Sequence, residues 1–303
     1  MKIAIQTSSV LHRAGIEAGA RLLREAGFDG VDLSLDTLAS RDAGLQDPVT
    51  GFFDSPDEVL QAEIEPILRA FRENGLEILQ AHAPLPAHTG DPEVNEYGRR
   101  MLKKIIMLCG YAGCPHLVTH PLMRVGDPAV TPPADVDHPA NVEMYTALIP
   151  EARRYGVTVC LENLVFRHKN SPVYGSANDP HCGAEMVDRL NAAAGEELFG
   201  FCLDVGHASL LGQDVALAMR TLGKRIKTLH LHDNDGFMDR HMLPFTGTAD
   251  WDRICAGARE IGYTGVLDFE TSGAVDAFPL SVFPELLALT VKTGRYLARR
   301  IEG

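Results

Sequence analysis

Eight short strand-like runs alternate with segments of 3.6-residue periodicity along the chain, and seven of those segments end at a glycine just before the next run. Together with long Pro-, Gly- and Asp-rich stretches after the strands, this pattern predicts an α/β fold, a (β/α)8 TIM barrel, built as a single domain over residues 1–303. The expected strands are Lys2–Thr7, Gly30–Leu35, Leu76–His82, His116–His120, Val157–Glu162, Phe199–Asp204, Arg225–His232 and Gly265–Glu270. Helical periodicity is clearest in Ile16–Ala26, Pro56–Asn74 and Tyr97–Tyr111. Leu286–Ile301 reads as a closing helix, with Arg295, Arg299 and Arg300 in its last turns favoured by the macrodipole.

The glycines Gly27, Gly75, Gly113, Gly156, Gly195, Gly223 and Gly262 stand where a left-handed C-cap carries no Cβ penalty, so the helix-to-strand turns are short. The strand-to-helix connections are long: Asp36–Ser55, Ala83–Pro92, Pro121–Asp137, Asn163–Pro180, Asp233–Ala249 and Thr271–Pro284. In a barrel they all emerge at the C-terminal face of the strands, where active sites are built. The asymmetry predicts one functional face.

Composition narrows the classes. A chain of 303 residues with 45% hydrophobic content can bury one large core. It has no run of about 18 apolar residues to span a bilayer, and its first residues enter a strand directly, so a cytoplasmic protein without a membrane span is expected. The six cysteines lack CxxC spacing, and Cys160 and Cys202 fall within apolar strands, so they read as reduced core residues. A net charge of −13 opposes a phosphate backbone, and Arg124, Arg167, Lys169 and Arg240 in the long loops form no basic stripe. Nucleic acid is therefore not an expected partner. Oligomeric state, including a homo-oligomer, stays open.

The chemistry concentrates at the strand ends. Ile226–His241 runs out of a β-branched strand through His230, His232 and Asp233 into Asp239, Arg240 and His241. Strand alternation places His230 and His232 on one face and Leu229 and Leu231 on the other. Across the chain the strands end on His82, His120, Glu162, Asp204, His230 and Glu270, which a barrel brings to one mouth. A histidine satisfied by backbone would account for His82 or His120 singly. Several buried carboxylates together imply a cation, and Glu162, Asp204, His230 and Glu270 form a mixed O/N set suited to Zn²⁺ or Mn²⁺. Phe245 and Trp251 stand where they could wall a pocket, and Arg167 and Lys169 where they could hold a substrate phosphate.

The runs LEN at Leu161–Asn163, LDVGH at Leu203–His207, HLHD at His230–Asp233 and DFE at Asp268–Glu270 resemble the xylose-isomerase-like superfamily of TIM barrels. That superfamily contains sugar isomerases, sugar epimerases and the endonuclease IV group. The resemblance implies a divalent metal on Glu162, Asp204, His230 and Glu270, with His207 touching a carbohydrate substrate. It further implies proton transfer through a metal-bound enediolate, with Glu162 and Glu270 as acid and base. Resemblance to endonuclease IV implies instead up to three zinc ions. His82, His120 and Glu162 would hold one, the four residues above a second, and His207, Asp239 and His241 a third. The acidic chain ranks the isomerase or epimerase first, this phosphodiesterase second and a non-catalytic sugar-binding barrel third. One departure leaves the sugar open: ketohexose epimerases carry an arginine six residues past the histidine ligand of the seventh strand, where this chain has Gly236, its nearest arginine being Arg240. His230 is preferred to His232 as that ligand because His230 to Asp233 has the superfamily spacing.

Overall fold

The computed structural model describes residues 1–39, 51–84, 91–122, 133–168, 171–174 and 177–303, with backbone alone at 37, 39, 133–138, 166–168 and 171–174. The barrel strands are β1 (Ile3–Ile5), β2 (Gly30–Ser34), β3 (Glu77–His82), β4 (His116–Thr119), β5 (Thr158–Glu162), β6 (Phe199–Asp204), β7 (Ile226–Leu231) and β8 (Leu267–Phe269). They form one eight-stranded sheet in the order β1-β8-β7-β6-β5-β4-β3-β2, every pair parallel. The barrel closes between β1 and β2 through a parallel bridge of Gln6 and Asp32, where the Thr7 N–H donates to the Asp32 carbonyl at 3.0 Å. Each strand lies within its expected span; Phe199–Asp204 fills it and the other seven are a little shorter, because ladder pairing stops where the chain turns into a loop.

Register decides what reaches the mouth. Asp204 pairs with His230, and His230 with Asp268, so the stagger of the barrel brings Glu270, two residues past Asp268, to the same end as Asp204 and His230. Side chains alternate, so Glu162, Asp204, His230 and Glu270 face inward at the top, and Cys160, Cys202, Thr228 and Asp268 lie one layer below. Val118, Cys160 and Cys202 pack there as a small apolar cluster of their own. The main core lies outside the barrel, between the strands and the helices.

The helices obey local rules. Asp91 caps Pro92–Ala112 by accepting the Glu93 N–H, and Asp179 caps Pro180–Ala194 by accepting the N–H groups of His181 and Cys182. The closing helix runs Phe283–Glu302. It crosses β1 and β8 at Gly294, where a Cβ would stand 2.8 Å from Ile3 and 2.9 Å from Phe269. All seven expected glycines have positive φ. Gly223 departs from the left-handed cap, with ψ −131°, where it opens a 3₁₀ turn at Gly223–Arg225.

The connections hold structure that periodicity did not reveal. Short helices Ser8–Ala14, Val205–Leu210 and Ser272–Ala277 follow β1, β6 and β8, and Val165–His168 pairs with Ser171–Tyr174 as an antiparallel hairpin after β5. Segments this short carry too few residues to show a period. No helix among the described residues is long and apolar enough to cross a membrane.

Candidate metal centre

Glu162 stands at the centre of the mouth. Its Oε1 lies 2.9 Å from His230 Nδ1, while its Oε2 lies 2.9 Å from His120 Nε2 and 3.4 Å from His82 Nε2. Glu270 Oε2 and Asp204 Oδ2 stand 3.2 Å and 3.9 Å from the same His230 nitrogen. One ligand atom from each of Glu162, Asp204, His230 and Glu270 falls within 4.8 Å of all the others, and all four residues are buried. Gln6 at the end of β1 fixes Glu270 by donating to its Oε1 at 3.0 Å, and Ser8 donates in turn to the Gln6 carbonyl.

Two further groups adjoin this one. His82, His120 and Glu162 meet on one side and share Glu162 with the first. On the other side His207, His232, Asp239 and His241 converge. There His207 Nδ1 donates to the Asn163 carbonyl at 2.8 Å, and His241 Nδ1 donates to the Glu270 carbonyl at 2.9 Å. Both rings then turn Nε2 toward Asp239 Oδ2, at 3.0 Å and 3.1 Å. His232 lies against His241, ring centroids 4.2 Å apart, and its Nε2 meets Asp204 Oδ2 at 2.9 Å. Gly206, within the LDVGH run, makes room for that ring, since a Cβ there would come within 2.2 Å of it.

The electrostatics demand a cation. A carbonyl only accepts, so each Nδ1 above carries a proton, and a neutral ring would aim the lone pair of Nε2 at a carboxylate lone pair. Either a proton or a metal must sit between them. In the metal-free protein it is a proton: burial alone would lower His241, but Asp239 and Glu270 raise it to about 9. Burial likewise opposes His82, and Glu162 beside it raises its pKa to about 10. His207 is raised well above the ordinary histidine value, against burial, by Asp204, Asp239 and Glu162, and His230 likewise by Cys202 below it and then by Glu162, Glu270 and Asp32. Burial would raise Glu162 and Glu270, yet the neighbouring histidines hold both below the usual carboxylate range. Glu162 Oε2 and Glu270 Oε2 are buried without a well-aligned hydrogen bond, facing only histidine nitrogens. Buried carboxylate oxygens that face histidine nitrogens, with His207, His230 and His241 each held through the other ring nitrogen, are what a divalent ion with N and O ligands requires, so the residues present fit such a group.

Every strand-end residue singled out from the sequence reaches this mouth, together with His207, Asp239 and His241. His230 lies in the Glu162 group, and His232 in the His207 group. Arg240 lies at the rim, half-exposed, its Nε 2.9 Å from Asp235. The side chain of Arg167 is not described, and Lys169 lies outside the described residues. Trp251 is buried at the foot of the loop with Nε1 2.9 Å from Asp233, while Phe245 stands half-exposed over it. Sequence reasoning quoted Asp233 and Asp268 within HLHD and DFE without giving either a role in the site, and it overlooked Gln6, Asp32 and Gln80. Asp233 organises the 233–249 loop by accepting N–H groups from Asn234, Phe245, Ala249 and Trp251. Gln80 and Asp268 were within reach, because stepping two residues back from His82 and Glu270 names them, whereas no residue singled out on β1 or β2 led to Gln6 or Asp32.

Residues 20–287 match the family model described as a xylose isomerase-like TIM barrel. The chain belongs to this family. The uncharacterized protein y4fM of Sinorhizobium fredii is 27% identical over 292 residues, covering 88% of this chain and 84% of that one. Among solved structures, a D-psicose 3-epimerase determined in the presence of D-fructose is similar, with a TM-score of 0.71 at 17% identity and all of both chains covered. So is the IolI protein with a bound zinc atom, with a TM-score of 0.70 at 18% identity over 99% of this chain and 98% of that one. At these identities the two structures speak for the fold.

Proposed function

We propose that the protein is a divalent-metal-dependent isomerase or epimerase acting on a sugar, sugar phosphate or related polyol. One observation carries this reading: Glu162 on β5 and Glu270 after β8, with β6 and β7 between them, bring carboxylate oxygens to 2.9 Å and 3.2 Å from one His230 nitrogen. Glu162, Asp204, His230 and Glu270 would hold the ion, Zn²⁺ or Mn²⁺ by the donor set. Bound there, it supplies a fixed positive charge beside the substrate oxygens, which stabilises negative charge developing on them.

The chain's own residues do the rest. Both glutamates are held ionised, so either can take the proton from the carbon next to a substrate carbonyl; the other delivers a proton that it has drawn from solvent to the opposite face, and the first then releases its own to solvent. The C–H electrons move into the carbonyl and give an enediolate, which reprotonation resolves to the isomer. Gln6 keeps Glu270 aimed, and His207, held by the Asn163 carbonyl, faces the reacting oxygens. The likeness to a D-psicose 3-epimerase supports a carbohydrate substrate, and that to a zinc-holding barrel supports the metal.

A sugar and sugar-phosphate panel run with Zn²⁺- or Mn²⁺-loaded protein in D₂O tests this. Solvent deuterium should appear at the carbon next to the carbonyl, and Glu270→Gln should lower turnover by at least ~10²-fold while sugar binding persists. Turnover without label sinks the proton-transfer route. No exchange on any sugar sinks the assignment.

The two adjoining groups favour a second reading, a trinuclear zinc phosphodiesterase, since clustered ions suit in-line attack at phosphorus. Metal-loaded protein incubated with an abasic-site duplex decides between them. The net charge of −13 predicts weak duplex binding near physiological salt and no efficient incision.

A further inference from the structure

The layer below the mouth holds polar groups that the proposed chemistry does not use. Asp32 on β2, Gln80 on β3, and Thr228 and Asp268 on β7 and β8 are all fully buried inside the barrel. A barrel interior at this depth is ordinarily filled by branched apolar side chains, as the neighbouring Val118, Cys160 and Cys202 fill it here. Buried carboxylates are costly, so Asp32 calls for a reason.

His230 supplies it. Its Nδ1 faces Glu162, Glu270 and Asp204 above, while its Nε2 points down and across the interior, past β8 and β1, to Asp32 Oδ2 at 3.2 Å. Asp32 is itself held, because Gln80 Nε2 donates to the same Oδ2 at 2.9 Å. Asp268 Oδ2 stands farther off, 4.0 Å from His230 Nε2, and neither of its oxygens has a hydrogen-bond partner. The geometry points to Asp32 as a positioning residue: its carboxylate accepts the Nε2–H of His230, fixing the ring's tautomer and angle so that the Nδ1 lone pair faces the ligand corner, and Gln80 keeps Asp32 in place. A histidine ligand whose far N–H meets a carboxylate is better oriented and more basic toward a metal, an effect typically worth 10–100-fold in affinity. This inference rests on the metal reading of the corner, and the inner carboxylate explains why the ring cannot simply turn over.

The test uses Zn²⁺ alone as the probe, competed against a chelator, with long-range ¹H–¹⁵N correlation of the histidine rings as the second readout. Asp32→Asn keeps the shape but removes the charge, and should weaken Zn²⁺ binding 10–100-fold and shift the His230 Nε2 resonance. Gln80→Met loosens Asp32 without touching His230 and should give a smaller loss of the same sign. Asp268→Asn, which alters a carboxylate not bonded to the ring, should leave the His230 resonance in place. Unchanged Zn²⁺ affinity and an unchanged His230 resonance in Asp32→Asn overturn the proposal. If Asp32→Asn fails to fold, the Gln80→Met comparison decides by the same two readouts. Absence of Zn²⁺ binding by the parent protein sinks the metal reading instead, and the His230 resonance in parent and variant still shows whether Asp32 holds the ring.

Discussion

Asp239 shows at the scale of one residue what the mouth does to charge. Its Oδ2 takes two histidine nitrogens, and the groups around it keep those rings protonated while no metal is bound. Protons therefore compete with metal. His241, raised to about 9, and His82, raised to about 10, are both protonated at neutral pH, and each must lose its extra proton to become a ligand. Apparent Zn²⁺ affinity should climb as pH rises from 7 toward about 9, whereas unshifted histidines near 6.5, already free by pH 7.5, would leave it level over that range. Calorimetric titration in buffers of different ionisation enthalpy should record more than one proton released per ion at pH 7. Release near zero would show that the rings are neutral before the metal arrives.

Among the elements, the 233–249 loop is the one that brings Asp239 and His241 back to the mouth. The Asp233 carboxylate is its main side-chain tie: it accepts four N–H groups, from Asn234, Phe245, Ala249 and the indole of Trp251. His241 and Phe245 sit at φ 46° and 73°, a region costly for side chains with a Cβ, so the loop needs that tie to hold its shape. Asp233→Ala leaves four donors short of an acceptor. Trp251 emission should shift to the red, the loop should become sensitive to protease, and metal held through Asp239 and His241 should be lost before metal held by Glu162, Asp204, His230 and Glu270. An intact loop with unchanged Trp251 emission would contradict this. The sequence made the ligands legible here and hid the scaffold. His230, Asp239 and His241 are metal-ligand residue types on a strand end and its loop, whereas the bonds to Asp233 come from residues up to 18 positions away, with no period to betray them. Gly206 is legible only in hindsight, because the ring it accommodates comes from β7.

For the whole molecule, the barrel pattern was readable because β/α alternation repeats and short helix-to-strand turns end in glycine. Cross-barrel contacts were not, since Asp32 and His230 lie 198 residues apart. The same holds at the outer edge of the barrel. Asp29 accepts the Ile3 N–H at 2.7 Å and pairs with Arg295 of the closing helix at 2.8 Å, so one carboxylate ties β1 to the loop before β2 and to the last helix. Burial opposes its charge, but Arg295 and the Ile3 N–H hold its pKa below the usual value. Stability from such a group is present above its unfolded pKa, near 3.9, and is lost as pH falls through the lower folded value. Asp29→Asn should cost about 1–2 kcal/mol at pH 7 by denaturant midpoint, with the gap to the parent closing below about pH 4. A gap that is constant with pH would mean that packing, and not charge, makes the difference.

The β1–β2 junction and the mouth share residues. Gln6 and Asp32 form the bridge that closes the barrel, and their side chains reach Glu270 and His230. Opening the barrel there would tear both side chains from the ligands they hold, so whatever fastens the ligands fastens the junction too. Native-state amide exchange would register this directly: the Thr7 N–H, bonded to the Asp32 carbonyl, should exchange more slowly in Zn²⁺-loaded protein than in the stripped form. Amides on β4, whose pairing to β3 and β5 lies away from that bridge, should respond less. In that sense the barrel has a clasp, and the clasp is worked from inside.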